Sequence, residues 1–564
     1  MKKRVITILK NALKEVGISL TEKQIQERIE LPPTLKMGDY SFPCHFIANK
    51  INKKPEQLAL EISKKIKETP KGDIENIQVI GPYINFFVNR KDFTKNVLTD
   101  IIKKKEKFGS TSLGHKQKII VEFSSPNIAK PFGIGHLRST IIGNSIGNIC
   151  SFQGFKIIKM NYLGDWGTQF GKMICGYKNF GKEEKLKKDP IKYLLKIYVK
   201  INKNKKYEEE SRSYFKKLEN GNKECFLLWK KFKELSLKEF KKIYEKLGII
   251  FNVYSGESMY NKEMKSVVKE LQQKKLLRKS RGALVVDLKK YNLGFCLIQK
   301  TDGTTLYATR DLASAITRHK KYNFSKMIYE VGQEQKLHFQ QIFKVLNLMG
   351  YSWAKECIHA NHGLYLDKDG KKFSTRKGKT IFMEDILNNT ISFAKKEISK
   401  REEKISKKEL EHRALKVALA AIFYGDLKNT RTQNIVFNPK KFTSFEGDTG
   451  PYLLYSYARA NSILKKCKCK ERKILPNKLE KLEFSLIKKL SQFPSSALEA
   501  YNNLSPAHIA HYAFELAQDF NEFYDQCHVI DSKEESFRLE LVKAFMIVLK
   551  NSLNLLGLEP LERM

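Results

Sequence analysis

The chain has 564 residues, of which 41% are hydrophobic, and a formal net charge of +44. It is too long for one ordinary core, which points to about three or four domains, and too apolar to be largely disordered. The excess of Lys and Arg suits a partner carrying phosphates, such as RNA, and suits a solvated lysine-rich surface equally well.

Met1–Leu20 mixes Lys, Asn and Glu into an amphipathic pattern with no continuous apolar core, as in the first helix of a folded domain rather than a secretory signal. Strand-like runs follow at Ile77–Ile80 and Tyr83–Val88, separated by Gly81-Pro82, so residues 1–112 read as a small α+β domain. The Gly- and Ser-bearing stretch Phe108–Lys118 reads as the linker after it. At Ile119–Phe123 a β-branched run opens a second domain. From Gly135 the apolar spacing turns helical, with Leu137, Ile141, Ile142, Ile146, Ile149 and Phe152 on one side and Gly154 at the end; Phe155–Met160 returns to strand. Strand, glycine turn, helix and strand make a βαβ unit. The expected class over residues 113–395 is therefore α/β, a doubly wound parallel sheet of Rossmann-like type.

Lysine-rich helices over about residues 179–280 interrupt that domain as a helical insertion, and their stripe of Leu228, Phe232, Leu235, Ile243 and Leu247 reads as helix packing. Strands resume at Gly282–Asp287 and Lys326–Val331. Beyond about Lys395 the pattern is helical, and residues 396–564 are expected to form an all-α bundle. In it Ser505 is an N-cap with Pro506 in the first turn, Ile509, Ala513, Leu516, Phe520 and Phe523 supply a buried face, and Gly557 is a stop. No run of about 18 uncharged apolar residues occurs, which speaks against a membrane span. The nine cysteines are scattered, with only Cys467 and Cys469 close together, so reduced thiols in a cytoplasmic protein and no metal site are expected.

Two segments can carry chemistry. Pro126–Arg138 lies between the first strand of the second domain and the following helix. There Gly133 and Gly135 let a ligand approach the backbone, the helix N-terminus offers free N–H groups to phosphates, and His136 can donate to a phosphate oxygen. On its own such a turn serves equally to end a strand. Lys371–Lys379 carries five basic side chains with Ser374, Thr375 and Gly378, a loop able to close on a triphosphate, or simply a solvated loop.

Together these resemble the two signatures of the class I aminoacyl-tRNA synthetases, H-I-G-H and K-M-S-K-S. Val121–Lys130, His136–Thr140, Leu163–Gly171, Leu306–Asp311, Gly447–Tyr452 and the closing Leu561–Met564 narrow the resemblance to the arginyl-tRNA synthetases. The chain departs from the first signature at Gly133, where a histidine is usual, and from the second at Thr375, where a lysine is usual; Lys130 stands where many arginyl enzymes compensate.

The resemblance implies that arginine is activated by ATP, with Mg2+, and transferred to the 3′ end of an arginine tRNA by a cytoplasmic monomer. It implies Lys130, His136, Lys372, Ser374 and Lys377 as catalytic, with Gly133, Gly135 and Phe373 also at the ATP. Asp311 and Tyr307, four residues apart, would grip the guanidinium, and Glu122, Asn127 and Gln335 would help place the amino acid. The N-terminal domain would contact tRNA and the C-terminal bundle the anticodon. Two other readings remain: a class I synthetase for another amino acid, such as glutamate or cysteine, and an RNA-binding protein with a decayed active site.

Overall fold

The computed structural model describes residues 2–30, 32, 34, 37–67, 74–301, 307–367, 369–371, 382–436, 447–467 and 473–564. The chain divides into two compact units, one of Met1–Lys105, Lys466–Ser491 and Glu522–Phe545, the other of Glu106–Lys465, Gln492–Asn521 and Met546–Met564.

In the first unit three antiparallel strands, β1 (Tyr40–Pro43), β2 (Ile74–Ile80) and β3 (Tyr83–Val88), pair in the order β1-β3-β2. The helices Lys2–Glu15 and Pro55–Lys67 supply Val5, Leu9, Leu13, Leu58 and Ile62 to a core shared with Ile84 and Phe86 of β3. The hairpin forms where the sequence places it, with Gly81 in the left-handed region at φ +54. Ring packing of Phe93 on Phe484 (5.7 Å) and a Lys488–Asp39 ion pair (3.6 Å) add the later segment to this unit.

The second unit holds a five-stranded, wholly parallel sheet built from β4 (Lys118–Glu122), β5 (Lys156–Leu163), β6 (Val253–Gly256), β10 (Lys326–Tyr329) and β11 (Cys357–His359), in the order β11-β10-β4-β5-β6. The chain runs outward from β4 to one edge, returns, and builds the other edge from β10. Ligands of such sheets bind beyond the carboxyl ends of the strands where the order reverses, here between β4 and β10. A small antiparallel sheet of β7 (Leu277–Ser280), β8 (Ala283–Asp287) and β9 (Phe295–Gln299) and a short parallel pair, β12 (Tyr365–Leu366) with β13 (Ile435–Val436), complete the β-structure among the described residues.

The stretch read as a helical insertion, about residues 179–280, holds the helices Pro190–Asn202, Glu208–Glu219 and Lys223–Lys246, and also the edge strand β6 and strand β7. A four-residue edge strand is too short to show a period, which is why it escapes a reading of spacing. The stretch read as a linker is packed rather than loose. Phe108 is buried, and Gly114 and Lys116 donate backbone N–H bonds to the carbonyls of Gln153 (2.9 Å) and Gly154 (3.0 Å). Downstream the chain is mostly helical, although the short strand β13 falls inside the stretch expected to be all-α, and Pro506–Gln526 begins directly after Ser505. The helix Glu535–Leu556 ends at Gly557, whose φ is +78. Among the described residues no helix is long and apolar enough to cross a membrane.

Helix Ile134–Phe152, which follows β4, is buried nearly all round and carries a buried guanidinium, Arg138. Arg138 pairs with Asp426 (3.6 Å), donates to the carbonyl of Gln433 (2.8 Å), and lies over the Tyr365 ring (5.4 Å). Removing one member of such a pair leaves a buried charge without compensation. The variant Arg138→Leu is therefore expected to lower stability by about 3–5 kcal/mol in urea unfolding, and the double variant Arg138→Leu/Asp426→Leu to recover part of that loss. Equal midpoints for the wild type and the single variant would refute the assignment.

Candidate active site

The chain leaves β4 through a turn that needs unusual backbone. Ser124 (φ +72), Ser125 (φ +44) and Ala129 (φ +59) all adopt the left-handed region, which costs non-glycine residues energy and persists only where the surroundings hold it. Those holds are present. The Ser124 N–H donates to Ser139 Oγ (2.9 Å), the Ser124 hydroxyl bonds to Tyr244 Oη (2.8 Å), and the Ala129 N–H donates to Ser236 Oγ (2.9 Å). Tyr244 and Ser236 lie on the helix Lys223–Lys246, so the insertion holds the turn in shape.

The turn delivers Lys130, Gly133, Gly135 and His136 to the start of the helix Ile134–Phe152, with Gly133 as its N-cap. The Gly133 N–H donates to His136 Nδ1 (3.2 Å), which leaves the imidazole proton on Nε2. Burial, reinforced by the nearby Lys130 ammonium, lowers the His136 pKa to about 4. The ring is thus neutral near pH 7 and presents one N–H donor beside the positive end of the helix. A Cβ on Gly135 would meet no heavy atom within 4 Å, so no packing within the protein calls for glycine there, and the open space suits a ligand. Lys130 Nζ donates to Gln169 Oε1 (3.0 Å) and lies 5.2 Å from the centre of the Tyr198 ring.

Gln169 belongs to the segment Leu163–Gly171, which also seats Asn127. The Gln169 amide donates to Asn127 Oδ1 (3.4 Å), and the Ile128 N–H donates to the Gly164 carbonyl (3.2 Å). A Cβ on Gly164 would stand 2.2 Å from Asn127 Oδ1, so only glycine allows that approach.

Acidic groups collect on the other side. Glu122, the last residue of β4, is buried and paired with Arg318 (2.5 Å), whose guanidinium lies over the Tyr162 ring (4.7 Å). Burial pushes the Glu122 carboxyl above its ordinary value against the pull of Arg318, and Asp311 adds to the rise. Tyr307, Asp311 and Arg318 share the helix Tyr307–Tyr322, with Tyr307 62% exposed at its first turn and Arg318 fully buried. The spacing of Tyr307 and Asp311 is thus one helical turn, and both sit on one face. His338 Nε2 lies 2.7 Å from Asp311 Oδ2. Burial raises the pKa of Tyr307, and Glu257 is the next cause. Glu257 itself, just after β6, accepts the Trp166 N–H (3.2 Å) and is raised to about 7, by burial first, with Asp311 and Asp165 adding and Arg310 opposing.

Of the residues named from the sequence, the structure brings Glu122, Tyr307 and Asp311 to one cluster and Lys130, Asn127 and His136 to one turn. Gln335 lies exposed in the short turn Gln333–Gln335 after β10 and makes a backbone bond to Gly332 (3.1 Å). Lys372, Phe373, Ser374 and Lys377 lie outside the described residues. Sequence reasoning missed Glu257, Arg318, His338 and Gln169. Gln169 sat inside a segment already singled out, whereas Glu257 was hidden with the unrecognised strand β6.

An open helix N-terminus and an acidic cluster beside the switch point of a doubly wound parallel sheet suit a nucleotide-dependent enzyme of the class I aminoacyl-tRNA synthetase type. The family model "tRNA synthetases class I (R), catalytic domain" matches residues 97–439. "Arginyl tRNA synthetase N terminal domain" matches residues 3–88, and "DALR anticodon binding domain" matches residues 453–564. The chain is 44% identical over 559 residues to the arginine–tRNA ligase of Clostridium perfringens, covering 97% of this chain and 98% of that one. It is 46% identical, with the same coverage, to that of Clostridium kluyveri. The structure of the Thermus thermophilus arginyl-tRNA synthetase superposes with a TM-score of 0.85 over 100% of both chains at 23% identity, a likeness of fold. The chain belongs to the arginyl-tRNA synthetase family.

Because the Glu257 carboxyl is raised from 4.5 to about 7, the folded chain keeps a proton there that the unfolded chain releases. That contribution to stability is complete below about pH 4.5 and is lost as the pH rises through about 7. The variant Glu257→Gln should therefore gain on the wild type in urea midpoint between about pH 5 and about pH 8. An offset that stays constant over that range would show that Glu257 does not titrate differently in the folded state.

Proposed function

We infer that the chain is an arginine–tRNA ligase, which joins arginine to ATP as arginyl-adenylate with release of pyrophosphate and passes the arginyl group to the 3′ end of arginine tRNA with release of AMP. The observation that carries the arginine specificity is the pair Tyr307 and Asp311, one turn apart on one helix face beside the buried Glu122. A carboxylate meets a planar guanidinium through two parallel charge-assisted bonds, and a flat ring covers its face. A glutamate enzyme would need a cation where Asp311 stands.

No general base on the protein is required. The carboxylate of arginine attacks the α-phosphate, and the protein's work is positioning and stabilisation of charge. His136 donates Nε2–H to a phosphate oxygen, and Lys130 supplies a cation from the same turn. What supports both roles is the neutral tautomer of His136 and the hold of Gln169 on Lys130. Gly133 and Gly135 leave the backbone open to the nucleotide, and Lys372, Phe373, Ser374 and Lys377, matching the family's second signature, serve the triphosphate. Tyr307 and Asp311 grip the guanidinium, Glu257 adds a second acidic face, and Glu122, Asn127 and Gln335 position the amino acid. Among the described residues no group of three or more His, Cys, Asp or Glu could hold a metal. Mg2+ would enter with ATP on its phosphates, whose charge it offsets.

In this reading residues 1–112 contact tRNA, 113–395 carry the chemistry with the insertion at about 179–280, and 396–564 bind the anticodon, in a monomer working in the cytoplasm. Arginine activation waits for tRNA, which completes the site.

Arginine-dependent ATP–pyrophosphate exchange, with and without arginine tRNA, tests the reading. Exchange with arginine alone among amino acids, and only with tRNA present, is expected. The variant Asp311→Asn should lose about a hundredfold in kcat/KM for arginine, equivalent to about 3 kcal/mol. Tight tRNA binding with no exchange for any amino acid would instead favour a decayed site, with Gly133→His the first reversion to try.

A further inference from the structure

We propose that His338 is a positioning residue for arginine recognition, aiming the Asp311 carboxylate. The proposal rests on the reading of Asp311 as the guanidinium ligand.

Asp311 and His338 come from different helices, Tyr307–Tyr322 and Lys336–Leu348, and meet through His338 Nε2 and Asp311 Oδ2 at 2.7 Å. Both side chains are partly open, at 22% for Asp311 and 25% for His338, so this is not a sealed core pair. A bidentate grip on a guanidinium requires the carboxylate to lie in the plane of the fork. An aspartate projecting from a helix is otherwise free to rotate about its last torsion, which is broad and roughly two-fold. One N–H donated to Oδ2 sets that plane and leaves Oδ1 to the ligand. The edge-on contact of His338 with Phe339 (5.5 Å between ring centres) steadies the imidazole in turn.

The groups around the pair are acidic or phenolic: Glu122 on β4, Glu257 after β6, Tyr162 on β5, Tyr329 on β10 and Tyr307 on the same helix all feel Asp311. The guanidiniums of Arg318 and Arg310 face Glu122 and Glu257 respectively. His338 is the hydrogen-bond partner of Asp311 itself.

Steady-state aminoacylation by the full chain, with tRNA saturating, tests this with His338→Leu, His338→Gln and Asp311→Asn. Loss of the donor in His338→Leu should raise KM for arginine about tenfold, leaving kcat and KM for ATP within about twofold. His338→Gln keeps a side-chain donor, so its KM for arginine should stay near the wild-type value. An unchanged KM for arginine in His338→Leu, a parallel rise in KM for ATP, or a KM for arginine in His338→Gln raised as far as in His338→Leu would each overturn the proposal. If Asp311→Asn also left KM for arginine unchanged, the reading of Asp311 would fail; a large effect there with none at His338 would remove only the role of His338.

Discussion

Glu330 is the carboxylate on which the rest of the catalytic unit depends. It is fully buried directly after β10, at the point where the order of the sheet reverses. Ser139 on the helix after β4 donates to it at 2.5 Å, and His362 Nδ1, beyond β11, lies 2.6 Å away. A buried carboxylate is tolerated only when its oxygens are satisfied, so three separate segments are held to one arrangement. Ser139 also receives the Ser124 N–H, and its bond extends the constraint into the turn that carries Lys130 and His136. The turn after β4 is thereby tied to the segments after β10 and β11 by one short chain of hydrogen bonds.

Within that crevice the electrostatics are uneven by design of the residues present. Glu122, Asp311 and Glu257 bring three carboxylates, while Arg318 and Arg310 bring two guanidiniums. Burial, ahead of the charges of Asp311 and Asp165, raises the Glu257 carboxyl to about 7. At the start of the helix Ile134–Phe152 the balance is reversed: Lys130 and the helix end supply positive potential, and burial keeps His136 neutral.

Much of this was legible from the order of residues. The hairpin at Gly81-Pro82, the βαβ unit through Gly154, and the stop at Gly557 all emerge where local spacing and turn chemistry put them. Tyr307 and Asp311 share a face because a spacing of four on a helix requires it. Other features were not legible. The strand β6 is four residues long and draws its stability from β5, a partner about ninety residues earlier. The segment at Phe108–Lys118 has the composition of a loose linker, yet it packs against the chain at Gln153 and Gly154, because hydrogen bonds to distant carbonyls and a buried phenyl ring decide its state.

The division between the two kinds of information has a simple physical origin. Periodicity, caps, turns and motif spacing are properties of neighbours along the chain, and they were enough, with the family resemblance, to give the class of fold and to single out the turn of Lys130 and His136 and the helix of Tyr307 and Asp311. Which charge faces which is a property of distant residues brought together. Only the folded chain could set Arg318 against Glu122, His338 against Asp311 and Gln169 against Lys130, and only burial could shift Glu257 and His136 in opposite directions. Desolvation and non-local pairing act through space, and a linear sequence carries no direct record of either.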